Sequence, residues 1–133
     1  MSQGRSQDVV PTSALGRLFL RFLPESGSLA GTTAEVIIED ELDLTPFGVD
    51  GRVVSTPGHT PDSVSVSLAG GEAIVGDLIM AFFRRRVPGY PVFAIDMSQV
   101  HDSVRTILGW NPTIIHASHG GPFDPQKVVA KFS

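Results

Sequence analysis

The chain has no cysteine among its 133 residues. That excludes disulfides and thiolate metal ligands, so His, Asp and Glu are left to hold any metal. Cysteine-free composition is compatible with a reducing compartment, and a cytoplasmic location is the expectation. Long uncharged apolar runs are missing too. LGRLFLRFL is cut by Arg17 and Arg21, and AIVGDLIMAFF carries Asp77 in its middle. Neither reads as a membrane span or a signal segment. Charge is sparse, at 18% of residues, with a formal balance of −4 and a pI near 5.4. Broad, charge-driven binding to nucleic acid is therefore not expected, and neither is a membrane partner.

A 41% hydrophobic fraction and this length suit one folded domain over residues 1–133. No internal repeat divides it. Residues 1–12, MSQGRSQDVVPT, are polar and read as a frayed, flexible terminus. From Thr12 to Leu23 the apolar residues Leu15, Leu18, Phe19 and Phe22 recur at helical spacing, with Arg17 and Arg21 on another face. A membrane-surface helix shares that pattern, but docking on the protein's own core is the expectation. Pro24 and ESGSLAG form a loop.

Strand signals follow. AEVIIE (Ala34 to Glu39) and GRVVS (Gly51 to Ser55) are short and β-branched. DSVSVSL alternates, with Val64, Val66 and Leu68 on one side and Ser63, Ser65 and Ser67 on the other, which predicts one buried face. Gly70-Gly71 makes a hairpin turn into EAIVGD. RRRVPGYPVFAID is Pro/Gly-punctuated and reads as a long loop. Asp96 followed by Gln99 resembles a cap opening a helix with Val100, Val104, Ile107 and Leu108. TIIHAS is a strand, and Asp124-Pro125 starts a last helix.

Three polar residues sit at predicted strand ends: His59 after GRVVSTPG, Asp77 after EAIVG, and His119 after TIIHAS. Neighbouring strands can bring such ends to one edge of a sheet. Two imidazoles and a carboxylate suffice for a zinc with an open position, although strand-end His and Asp also serve as turn formers. SHGGPF is similar to the oxyanion loop of α/β-hydrolases, but the GxSxG nucleophile turn of that fold is absent. His101 reads as a solvated helix-surface residue. His116 shares a strand side with Ile114 and Ser118, opposite His119, and reads as a core or supporting histidine.

TPGHTPDS, then VGDL, then SHGGPF together resemble the second half of the metallo-β-lactamase superfamily of hydrolases, over roughly Leu15 to the C-terminus. The resemblance implies an α/β (α+β) fold: half of an αβ/βα sandwich, with a mixed or antiparallel sheet and helices on one face. It also implies that His59 is a ligand of one metal, His119 of a second, and that Asp77 bridges them. Thr60, Ser118 and His116 are the supporting candidates, and Arg84, Arg85 and Arg86 the substrate-loop candidates. The family's HxHxDH motif is absent, and the remaining histidines are His101 and His116. Four usual ligands are thus missing, so zinc is expected to bind weakly or not at all. A truncated, dimeric binding or structural module is the expectation, because half a sandwich leaves an apolar sheet face uncovered. A homodimer through that face, or a partner chain with the missing half, would cover it. The alternative is a zinc-dependent ester, thioester or lactone hydrolase whose site a second subunit completes.

Overall fold

The computed structural model describes residues 10–20 and 36–133. Among the described residues, five short strands form one sheet in sequence order: β1 (Glu41–Asp43), β2 (Gly51–Ser55), β3 (Val64–Leu68), β4 (Glu72–Ile74) and β5 (Ile114–His116). The first four pair antiparallel. β5 lies parallel to β4, because the chain between them crosses over through a helix. Helix α1 (Ala14–Leu20) precedes the sheet, α2 (Met97–Gly109) forms the crossover, and α3 (Pro125–Phe132) follows it. The result is a mixed sheet with helices on one face, as half of an αβ/βα sandwich requires.

Local chemistry explains the helix boundaries. Asp96 is the N-cap of α2 and accepts from Ser98 N at 2.8 Å and Gln99 N at 3.2 Å. Hydrogen bonds from the Ser98 hydroxyl and the Gln99 amide hold its carboxyl below the ordinary aspartate range. Asp124 caps α3 by accepting from Gln126 N, with Pro125 at the first helical position. Val100, Val104 and Ile107 recur on one side of α2 and are fully buried. They pack with Val128 and Phe132 of α3 and with Leu78, Ile79 and Phe123 against Ala73, Val75 and Ile115 of the sheet.

β3 reverses its expected orientation. Ser65 is buried and Val64 is 41% exposed. The serine side faces the helix layer, because Ser67 lies opposite Ala73, whose neighbour Ile115 belongs to the core. Ser65 is tolerated there since its hydroxyl meets that of buried Thr56 at 2.8 Å. The valine side, with Val66 opposite Ile74, is turned away from the helices; Val64 and Ile74 are exposed there, while Val53, opposite Val66, is buried. Period-two alternation identifies two faces of a strand but not which one the helices cover.

Other expectations shift as well. No strand forms over the described part of AEVIIE; Val36 and Ile37 are exposed, and the edge strand is Glu41–Asp43 instead. Nothing among the described residues buries that β-branched run, and burial rather than propensity decides strand formation. Val10 to Thr12 are not frayed: Thr12 N donates to Val92 O at 2.9 Å and Ala94 N to Val10 O at 3.0 Å. Of the expected terminus, residues 1–9 lie outside the described residues, as do Arg21 to Leu23 of the first helix and the loop after Pro24. His101 is not a solvated surface residue, since its ring sits 5.6 Å from Tyr90 and 5.7 Å from Phe132.

Thr56→Val should cost about 1–3 kcal/mol in urea unfolding, because it leaves the Ser65 hydroxyl buried without a partner. Combining it with Ser65→Ala should restore most of that loss. If the single and double variants unfold alike, the hydroxyl pair contributes nothing.

Candidate functional site

β2, β4 and β5 all run in one direction, so their C-terminal ends share one edge of the sheet. Each end is held there by its own turn. After β2, Thr60 Oγ1 lies 2.8 Å from Ser63 Oγ, and Thr56 N donates to Ser63 O at 2.8 Å, tying the Pro57–Asp62 turn to itself. Gly58 then presses on α2. Its φ is 138°, and a Cβ there would lie 2.5 Å from the Val100 nitrogen. Its carbonyl accepts from Ile95 N and Asp96 N, both at 3.0 Å, while Ser103 Oγ donates to Pro57 O at 2.7 Å. After β5, Gly120 has φ 87°, and a Cβ there would meet that of Ala81 at 2.6 Å. Ala81 N donates to His119 O at 2.8 Å and Ser118 N to Gly76 O at 3.0 Å. The His119 turn is thereby fastened to the segment that carries Asp77.

These constraints bring His59, Asp77 and His119 together. His59 Nδ1 lies 2.6 Å from the carbonyl oxygen of Phe93. A carbonyl only accepts, so Nδ1 carries the hydrogen. The other nitrogen, Nε2, faces Asp77 Oδ2 at 3.6 Å. His119 Nδ1 donates to Asp77 Oδ1 at 2.8 Å. One carboxylate thus bonds the His119 imidazole and stands beside that of His59. Exposure rises across the three, with side chains 21% exposed at His59, 32% at Asp77 and 55% at His119. The Phe82 ring stacks on His119, with centroids 6.3 Å apart.

Comparison with solved structures decides the fold. The chain is similar to a metallo-β-lactamase family protein from Thermus thermophilus, at 20% identity and a TM-score of 0.54, over 86% of this chain and 42% of that one. An archaeal metallo-β-lactamase superfamily protein from Sulfolobus tokodaii matches at 22% identity and a TM-score of 0.51, over 87% of this chain and 44% of that one. The fold is that of the metallo-β-lactamases. TMB-1 matches at 22% identity and a TM-score of 0.52, over 89% of this chain and 52% of that one. The chain spans about half the length of the metallo-β-lactamase structures it matches. No family model and no curated protein matches the sequence.

A metallo-β-lactamase fold implies metal, and the donors here do not form a cage for one. Among the described residues, no group of three or more His, Cys, Asp or Glu is arranged to hold a metal ion. His119 Nδ1 and Asp77 Oδ1 are engaged with each other at 2.8 Å, which turns those two donors away from a shared centre, while His59 Nε2 stands 3.6 Å from Asp77 Oδ2, beyond hydrogen-bond distance. Three donors match the protein-ligand count of an open zinc site, not that of a closed one.

The remaining candidates lie around this triad without joining it. Thr60 is absorbed by its own turn, and Ser118 is exposed, with its backbone tied to Gly76. His116 is on the open sheet side, in register with Ile74, where its Nε2 lies 3.9 Å from Glu72. It is no core histidine. Arg84, Arg85 and Arg86 are exposed, and the Arg85 carbonyl accepts from Gly121 N. Sequence reading missed two contributors. Phe93 acts through a backbone carbonyl, which no side-chain pattern reveals. Phe82 shows only as an aromatic after the VGDL motif.

Gly58→Ala and Gly120→Ala should each destabilise the fold by at least about 2 kcal/mol, since a methyl group collides with its neighbours at a positive φ. Gly109→Ala, with open space around it, should be neutral or stabilising by up to about 1 kcal/mol. Equal effects at all three positions in thermal unfolding would contradict the close approaches described.

Proposed function

We propose that this chain is a dimeric binding or structural module built on half of the metallo-β-lactamase fold, without hydrolase activity of its own. The observation that carries the reading is the pairing of Asp77 with His119, with no complete catalytic metal site among the described residues. The open side of the sheet supports the dimer. Val64 and Ile74 are 41% and 43% exposed there, with Val66, Leu68 and Ile114 half-buried beside them. Apolar patches of several hundred Å² (on the order of 400) usually mark an interface. A two-fold pairing of two such faces is self-complementary and closes without leaving a free copy of the patch.

A second reading draws on the same triad. Asp77 presents one oxygen to each histidine, the arrangement from which a two-metal site is built once further donors are supplied. Under this reading a second subunit brings those donors, and the assembly is a zinc-dependent hydrolase of the ester, thioester or lactone class.

Light scattering of the purified chain should give twice the chain mass, and Ile74→Asp, on the open sheet side, should give the monomer. A wild-type monomer would overturn the dimer. Protein prepared without chelator should contain well under one zinc per chain and hydrolyse no ester or lactone after zinc addition. Stoichiometric zinc that is lost in both His59→Ala and Asp77→Ala, together with hydrolysis, would establish the second reading instead.

A further inference from the structure

The segment after Asp77 leads into an exposed turn of sequence FFRRRV, Phe82 to Val87. Val87 N donates to Arg84 O at 2.8 Å and closes it. Its base is fixed by reciprocal hydrogen bonds, Met80 N to Gly89 O at 3.1 Å and Gly89 N to Met80 O at 2.7 Å. Gly121 N adds a third anchor on the Arg85 carbonyl. On this rigid base Phe83 stands 90% exposed and Val87 50% exposed. Arg84, Arg85 and Arg86 are exposed beside them. Among the described residues, the ion pairs involve Arg52, Arg105 and histidines, and none engages this arginine run.

Two features coincide here that folding alone does not require. A phenylalanine ring almost wholly in water contributes nothing to the core. Three of the chain's ten basic residues follow it without a break, in a protein of net charge −4. We propose that this turn docks the protein on an anionic phospholipid bilayer, with Phe83 entering the acyl boundary and Arg84, Arg85 and Arg86 meeting lipid phosphates. The acidic body is repelled by such a surface while the turn is attracted, so one orientation is favoured. Size selects lipid over an acidic protein partner. Phe82, Phe83 and Val87, exposed at 46%, 90% and 50%, are the apolar residues of one short turn, a small area beside the roughly 1,200 Å² or more that stable protein interfaces bury. So small an apolar turn suits a soft interface that closes around it, with guanidinium groups remaining at the headgroup level. This departs from the expectation of no membrane partner. It involves no spanning segment: no helix among the described residues is long and apolar enough to cross a membrane.

Vesicle co-sedimentation tests the proposal on the whole chain, whether monomer or dimer, so its outcome is separable from that of the oligomer measurement. Vesicles of phosphatidylcholine alone and of phosphatidylcholine with about one-third phosphatidylserine are the probes, at millimolar lipid and moderate salt. The wild type should partition onto the serine-containing vesicles only. Replacing all three arginines by alanine should weaken partitioning roughly a hundredfold, about fivefold per charge, and Phe83→Ala about tenfold. The triple arginine-to-lysine variant should stay within about threefold of wild type, which separates charge from misfolding. Absence of wild-type partitioning, equal partitioning of the alanine variant, or binding of polyglutamate with no binding of vesicles would overturn the proposal.

Discussion

The contact between Gly58 and the start of α2 is the constraint on which both the core and the site depend. With a Cβ at position 58 only 2.5 Å from the Val100 nitrogen, any side chain there would push the helix off the sheet. Hydrogen, instead, lets the Gly58 carbonyl receive Ile95 N and Asp96 N together. Those two amides precede α2, so the bond fixes where the helix begins and in which rotation it meets the sheet. Val100, Val104 and Ile107 then fall on the core side. The next residue after the glycine is His59, and the segment leading to Ile95 contains Phe93, whose carbonyl holds the His59 ring. One close backbone approach therefore sets the helix layer and orients the imidazole.

The helix layer satisfies only half of the sheet. On the covered side even a serine is buried, because Thr56 gives its hydroxyl a partner. On the other side valine and isoleucine remain partly in water, and a charged residue, Glu72, shares the surface with His116. A sheet destined for solvent carries polar residues outward. The outward choice of Val64, Val66 and Ile74 is the pattern of a sheet whose second face packs on another layer. The fold of the metallo-β-lactamase structures accounts for that pattern, since the chain spans about half their length.

Much of this was legible in residue types. GRVVS forms β2 from Gly51 to Ser55 as its β-branched run predicts, and Asp96 and Asp124 cap helices as their spacing to the following residues predicts. The convergence of His59, Asp77 and His119 followed from their shared place at strand ends, and the structure brings the three side chains together. What was not legible depends on long-range packing. Alternation in VSVSL reveals two faces, but the helices that choose between them lie far along the chain, beyond β4 and the FFRRRV turn. AEVIIE has strand propensity without a burying neighbour among the described residues. His101 lies on a polar-looking helix side, yet Tyr90 and Phe132 arrive from other segments to enclose it.

The triad itself separates position from chemistry. The three turns deliver two imidazoles and a carboxylate to one edge with hydrogen-bond accuracy, and this delivery needs only elements found in the chain. A metal on such a set requires that the donor atoms point to a common centre, and here His119 Nδ1 is turned on Asp77 Oδ1 at 2.8 Å. Any process that opens the site must therefore offer Asp77 something better than that hydrogen bond, with water or a further donor filling the fourth position of a tetrahedral metal. The same edge carries the FFRRRV turn, tied to the His119 loop through Gly121 and Arg85. The exposed turn and the loop that positions His119 therefore share a backbone hydrogen bond, and Ala81 N, just before the turn, bonds the His119 carbonyl itself.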